Sequence, residues 1–193
     1  STVDSDISNR QVQLSTWENL CTEAEQVDWL ILHFNRWFSH LNVNLVKGDF
    51  EPEYFPAIDS TPARIQFAHG FFNSALHVSS HWSIAGEPRR LLPDLGYWYA
   101  PDGRTAEQQA LFEQVEIKPQ AIEWLFATAF GRKFRVSLDN LTGEGGDGNR
   151  FKDHVLAQVQ AYFSGQAQLP RDAKHFIDCI CLCTRASKNI TER

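Results

Sequence analysis

Apolar residues recur at helical spacing along most of this chain of 193 residues. The longest pattern follows Ser15, where the S-x-x-E form of a capping box predicts the start of a helix that reaches about residue 40. Its apolar positions are Leu20, Val27, Leu30, Ile31, Phe34, Trp37 and Phe38. Further helices are predicted over 72–84, from Thr105 to a break or kink at Pro119, from Pro119 to about 130, over 149–163 and over 171–183.

Only two short segments, 42–47 and 64–68, have the pattern of β-strands. The chain therefore has too few strands for a double-stranded β-helix. We expect an α+β fold, mainly helical, with a small β-sheet in a single domain. Residues 1–12 are polar and are expected to be a flexible N-terminus, and residues 13–193 are expected to form the domain.

The composition argues against several classes of function. The net charge is −6, and 18 basic residues are scattered among 24 acidic ones, which is unlike a nucleic-acid-binding face. No apolar run approaches the roughly 20 residues of a membrane span, and the N-terminus has no signal-peptide pattern, so we expect a cytoplasmic protein. The C-x-C-x-C run of 179–183 favours a buried helix or strand over a thiolate site, because zinc sites usually space their cysteines C-x-x-C.

His77 and His81 are the most informative polar pair, because they lie one turn apart on a predicted helix. Side chains at i and i+4 share a face, and two imidazoles there can converge on one metal ion. The alternative is a helix face with two hydrogen-bonded or solvated histidines. Glu113 and Glu116, at i and i+3 on the next helix, could each supply a third ligand, and His69 is a further candidate.

Val78 indicates which chemistry such a site would perform. In H-E-x-x-H zinc peptidases the residue after the first His is a Glu, which acts as the general base on metal-bound water. Because this chain has Val78 there, the pattern argues against a peptidase. Two His and one carboxylate match the ligand set of non-haem Fe(II) oxygenases instead.

Several blocks of the sequence resemble the bacterial elongation factor P hydroxylase family, together covering roughly residues 43–165. The Gly-Tyr-Trp-Tyr block from Gly96 and the Val-Glu-Ile-Lys-Pro-Gln-Ala block from Val115 are the most specific. The complete set of blocks is 67–72, 74–82, 85–90, 96–104, 112–121, 139–141 and 154–159.

The resemblance implies a non-haem, metal-dependent monooxygenase that hydroxylates the β-lysylated lysine of translation elongation factor P. It implies Fe(II) as the metal, which zinc or another divalent ion could replace in crystals, and O2 as co-substrate. It also implies a mainly helical fold with a zincin-like helix that carries both histidines. The alternatives are a zincin-like metallohydrolase that uses Glu113 as its base, and a non-catalytic metal-binding module.

The resemblance carries the metal ligands onto His77, His81 and Glu116. Glu116 is preferred to Glu113 because it lies within the Val-Glu-Ile-Lys-Pro block and nearer to Pro119. In the family that the sequence resembles, Glu often stands at the position of Val78, which implies either a different proton relay or an altered rate for this chain.

The substrate implied by the resemblance is a long cationic side chain, which carboxylates and aromatic faces can bind. We expect Asp102, Glu113 and Tyr97 to contact it, although aromatic residues of the 97–99 segment could equally fill the core. We expect the protein to act as a monomer.

Overall fold

Five α-helices and a three-stranded sheet make up the computed structural model, which describes residues 16–97, 105–137 and 148–191. The helices are α1 (Glu23–Trp37), α2 (Phe72–Arg89), α3 (Ala106–Ala129), α4 (Gly148–Ser164) and α5 (Arg171–Thr191). The strands are β1 (Val43–Lys47), β2 (Glu53–Phe55) and β3 (Ala63–Phe67). The predicted α+β fold, mainly helical with a small sheet, is confirmed. None of the helices in these ranges is long and apolar enough to cross a membrane.

The sheet has the strand order β1-β3-β2, with β1 parallel and β2 antiparallel to β3. Alternate residues of each strand enter the core, as Leu45 and Ile65 do where they pair across β1 and β3. The sequence predicted β1 and β3 but not β2. With three residues between Pro52 and Pro56, β2 is too short to show an alternating pattern, and it forms by pairing with β3.

The first long helix begins later than predicted. α1 starts at Glu23, after Thr22, whose side chain accepts a hydrogen bond from the Glu25 backbone N–H at 3.2 Å. Trp17–Asn19 forms a separate 3₁₀-helix instead, and Ser15 lies outside the described residues. This short helix is held by the buried side chain of its first residue, which contacts the rings of Trp29, Phe72 and Phe130.

Pro119 does not divide the third helix, so the predicted break there is wrong. α3 runs from Ala106 to Ala129 as one helix. A proline inside a helix costs about 3 kcal/mol through its missing N–H and its steric clash. Pro119 is buried together with the next three residues, Gln120, Ala121 and Ile122, and the packing of this face against the rest of the domain offsets that cost.

The remaining helix predictions are confirmed in position, although the last helix continues to Thr191 instead of ending at residue 183. α3 begins where it was predicted, and Thr105 and Gln108 form a complete capping box at its N-terminus. In α2, Gly86 interrupts the helical geometry with a φ of 71°, and one further turn reaches Arg89. The C-x-C-x-C cysteines lie on α5 as partly buried residues. The glycine-rich segment 143–147 lies outside the described residues.

Arg90 joins the end of α2 to two other elements. Its Nη1 lies 2.8 Å from Asp172 Oδ2 on α5, and its Nε and Nη2 donate to the Trp82 carbonyl at 3.1 and 3.0 Å. Tyr54 of β2 donates its hydroxyl proton to the Arg90 carbonyl at 2.7 Å. Burial raises the pKa of Asp172, but the hydrogen bonds and charges of Arg171 and Arg90 outweigh it and hold that pKa below its usual value.

Candidate metal centre

His77 and His81 lie on one face of α2, and their ring centroids are 4.7 Å apart. The first turn of α2 is fixed by contacts outside the helix. Glu23 Oε1 accepts from the Phe72 backbone N–H at 3.0 Å, and Ser74 Oγ accepts from the Ala68 N–H at 2.9 Å. The register of the helix, and with it the direction of both imidazoles, is therefore set by the neighbouring elements.

Glu116 meets both histidines from α3. Its Oε1 lies 2.9 Å from His81 Nε2 and its Oε2 lies 3.9 Å from His77 Nε2. One ligand atom from each of the three residues lies within 4.8 Å of the other two. Donor atoms bound to one ion at about 2.1 Å are separated by roughly 3–3.5 Å, so a small inward movement would complete the site. The donor set therefore fits a transition metal ion.

The electrostatic state of Glu116 suits a metal ligand. Burial by itself raises the pKa of this carboxyl, since only 3% of the residue is exposed. The hydrogen bond from His81, the charges of His81 and His77 and a hydrogen bond from Gln120 outweigh burial and lower the pKa to about 2. Glu116 is thus an anion at neutral pH.

Glu123 is a site residue that the sequence analysis missed. Its Oε1 lies 2.8 Å from His77 Nδ1, on the side of the imidazole opposite the nitrogen that faces Glu116. Glu123 follows Glu116 by seven residues, which is two turns on one helix face. The i, i+7 spacing was a usable signal, but the predicted break at Pro119 placed the two carboxylates on different helices.

A cavity of about 970 Å³ opens over the three candidate ligands. Val78, between the histidines, also lines it, so the position of a peptidase base is apolar here. The lining combines acidic, basic and apolar side chains, among them Glu53, Asp94, Leu95, Phe112, Lys133 and Arg135. Its volume falls within the roughly 300–1,000 Å³ of cavities that bind small molecules in proteins.

The wall formed by residues 133–137 is attached to the helix that carries Glu116. Gln120 Nε2 donates to the Ser137 carbonyl at 2.7 Å, and the Ser137 N–H donates to Gln120 Oε1 at 3.0 Å. Gln120 Nε2 also lies 3.4 Å from Glu116 Oε2. Through this one buried amide, the cavity wall and the candidate metal ligand keep a fixed separation.

Of the other predicted site residues, one lines the cavity, two do not, and one lies outside the described residues. Tyr97 lines the cavity, with its ring centroid 5.9 Å from that of His81. Glu113 is half-buried one turn before Glu116 and is not among the residues that line the cavity. His69 is exposed and does not join the group of ligand atoms, and Asp102 lies outside the described residues. Contacts of Tyr97, Glu113 and Asp102 with a substrate stay predictions.

Comparisons with known proteins agree with the resemblance seen in the sequence. Residues 33–192 match the family described as Elongation factor P hydroxylase. A protein of Haemophilus influenzae named Elongation factor P lysine hydroxylase is 50% identical over 147 residues, which cover 75% of this chain and 82% of that protein. The chain therefore belongs to the elongation factor P hydroxylase family.

Proposed function

We propose that this protein is an iron-dependent monooxygenase that hydroxylates the β-lysylated lysine of elongation factor P. The observation that carries the proposal is the grouping of His77, His81 and Glu116 beneath a cavity, in a chain whose relative is named as a lysine hydroxylase of that factor. We further propose that it acts as a monomer in the cytoplasm, where a translation factor would be encountered.

The ligand set supports iron and oxygen chemistry. Two histidines and one carboxylate leave coordination positions open, as in non-haem Fe(II) oxygenases. A ferrous ion held by these residues would supply the activation of O2. The net reaction converts one C–H bond to C–OH, releases the second oxygen atom as water, and consumes two electrons and two protons from an external reductant. Glu116 contributes the negative charge of the site, because its low pKa keeps it ionised.

The cavity supports a lysyl side chain as substrate. The methylene groups of such a chain would pack against apolar lining residues such as Leu95, Phe112 and Phe134. Tyr97 lines the cavity and is proposed to contact the side chain, with the Arg89 guanidinium already over its ring, 4.4 Å from the centroid. Asp102 and Glu113 are proposed to pair with the amines, Glu113 from outside the residues that line the cavity. Val78 and the other apolar side chains would keep water away from the carbon that reacts.

A zincin-like hydrolase is the less favoured alternative. Peptide cleavage requires a general base beside the metal-bound water. Val78 occupies the usual position of that base, and Glu113, the substitute, is not among the residues that line the cavity. Glu123 does line it, but its carboxylate is engaged with His77 Nδ1.

The test is to load the purified protein with iron without oxygen, and then to add O2, a reductant and β-lysylated elongation factor P. Mass spectrometry of the substrate should show the gain of one oxygen atom on the modified lysine. His81→Ala and Glu116→Gln should abolish this gain, whereas Glu107→Gln, an exposed carboxylate change on the same helix, should preserve it. Tight zinc binding with peptide cleavage, or folding and stability that are indifferent to every metal, would contradict the proposal.

A further inference from the structure

The hydrogen bond between His77 and Glu123 assigns a role to the second carboxylate of α3. His77 Nδ1 lies 2.8 Å from Glu123 Oε1, while its Nε2 lies 3.9 Å from Glu116 Oε2. The geometry points to Glu123 as a positioning residue, which fixes the tautomer and the ring orientation of His77 so that Nε2 faces the metal. This inference relies on the proposed function only for the presence of a metal ion.

The chemistry of the imidazole determines that His77 donates and Glu123 accepts the hydrogen bond between them. A neutral imidazole carries one N–H, on either nitrogen, and the other nitrogen has the lone pair that binds metal. A carboxylate can only accept, so the short contact with Glu123 places the proton of His77 on Nδ1. Nε2 then has the lone pair and points toward Glu116. A negative charge on the far side of the ring also makes Nε2 a better electron donor.

Glu123 is rigidly placed for this role. Only 8% of the residue is exposed, and it lies two turns after Glu116 on the same helix. Within the part of the chain that the structure describes, His77 is the side-chain hydrogen-bonding partner of Glu123. One helix therefore presents a candidate ligand and the residue that orients another ligand, so that packing of α3 on α2 sets both at once.

The experiment measures affinity for Zn²⁺ and Co²⁺, each added alone, by competition with a chelator. Glu123→Ala should weaken binding roughly 10–100-fold, as loss of an outer carboxylate partner does in other metal sites. Glu123→Gln should weaken it less, because its amide oxygen can still accept the Nδ1–H but has no charge. Glu107→Gln, an exposed change of the same kind on α3, should leave the affinity unchanged.

The tautomer provides a second readout that a purely structural role would not predict. Long-range ¹H–¹⁵N spectra of the unaltered metal-free protein should place the His77 proton on Nδ1, and Glu123→Gln should retain that signal. A proton on Nε2 would overturn the inference, as would metal affinity in Glu123→Gln and Glu123→Ala within about threefold of the unaltered protein. Neither measurement uses the protein substrate, so metal binding of this kind without hydroxylation would refute the proposed function alone.

Discussion

Replacing Asp172 with asparagine removes one charge from the buried junction at the end of α2. The carboxylate pairs with Arg90, and the two side chains are only 5% and 11% exposed. Arg90 in turn donates twice to the carbonyl of Trp82, the residue that follows His81. We therefore expect the substitution to lower the free energy of unfolding and to loosen the end of the helix that carries both histidines.

The size of the effect follows from what remains after the substitution. Removing one partner of a buried ion pair costs about 3–5 kcal/mol, because the other charge is left without compensation. The amide side chain introduced by Asp172→Asn would still offer an oxygen to Arg90, and Arg90 would keep its two hydrogen bonds to Trp82. These remaining contacts lower the expected cost of the substitution to about 2–3 kcal/mol.

The assay is urea unfolding of the metal-free protein as a function of pH. Because the pKa of Asp172 is lowered in the fold, its contribution is complete above the unfolded pKa and is lost as the pH falls through the folded pKa. The difference between the two proteins should be constant near neutral pH and should shrink below about pH 4. A difference that persists at the lowest pH would refute the role of the charge.

Asp178→Asn is the matched control for this experiment. Asp178 also lies on α5 and pairs with a cation, Lys174, at 2.9 Å, but the two side chains are 58% and 68% exposed. An exposed pair of this kind contributes less than about 1 kcal/mol. Equal costs for Asp172→Asn and Asp178→Asn would show that burial of the Arg90 junction adds nothing to stability.

Two further predictions concern a buried hydroxyl and the metal. Ser79 Oγ is buried and makes no hydrogen bond with any residue that the structure describes, so Ser79→Ala should stabilise the fold by about 1 kcal/mol in urea unfolding. Ser83→Ala, which loses a bond to the Ser79 carbonyl, should change little, and a loss of stability in Ser79→Ala would contradict this account. A divalent ion at a hundred times its Kd should raise the free energy of unfolding by about 2.7 kcal/mol. Glu116→Gln should abolish most of this gain, and an equal gain in both proteins would exclude the proposed site.

The pairing of His77 and His81 could be predicted because it depends on short-range helix geometry. The i, i+4 spacing of His77 and His81 brings their rings onto one face whatever the rest of the fold does. The choice of Glu116 over Glu113 came from the resemblance to the family. In the structure Glu116 lies beside both histidines and Glu113 does not join the group of ligand atoms, and the identity of the third ligand stays a prediction.

The start of α1 shows where local patterns fail. The sequence has an S-x-x-E pattern at Ser15 and a T-x-x-E pattern at Thr22, and both satisfy the rule for a capping box. The choice between them is made by tertiary packing, because Trp17 must reach the ring of Phe130, more than a hundred residues away in sequence. A contact at that separation leaves no signal in the residues around position 17.

The continuity of α3 through Pro119 determines the organisation of the whole site. Glu116, Gln120 and Glu123 share one helix face only if the helix continues past the proline, and a break would send Glu123 in another direction. One face of the continuous helix therefore carries three side chains of the site. Glu116 is a candidate ligand, Gln120 binds the cavity wall, and Glu123 contacts Nδ1 of His77. The local cost of about 3 kcal/mol at Pro119 is thus offset by the packing that also aligns these three side chains. Local helix spacing therefore predicted His77 and His81 as candidate ligands and the family resemblance predicted Glu116. Glu123 was missed because the local rule for proline, which tertiary packing overrides here, predicted a break before it.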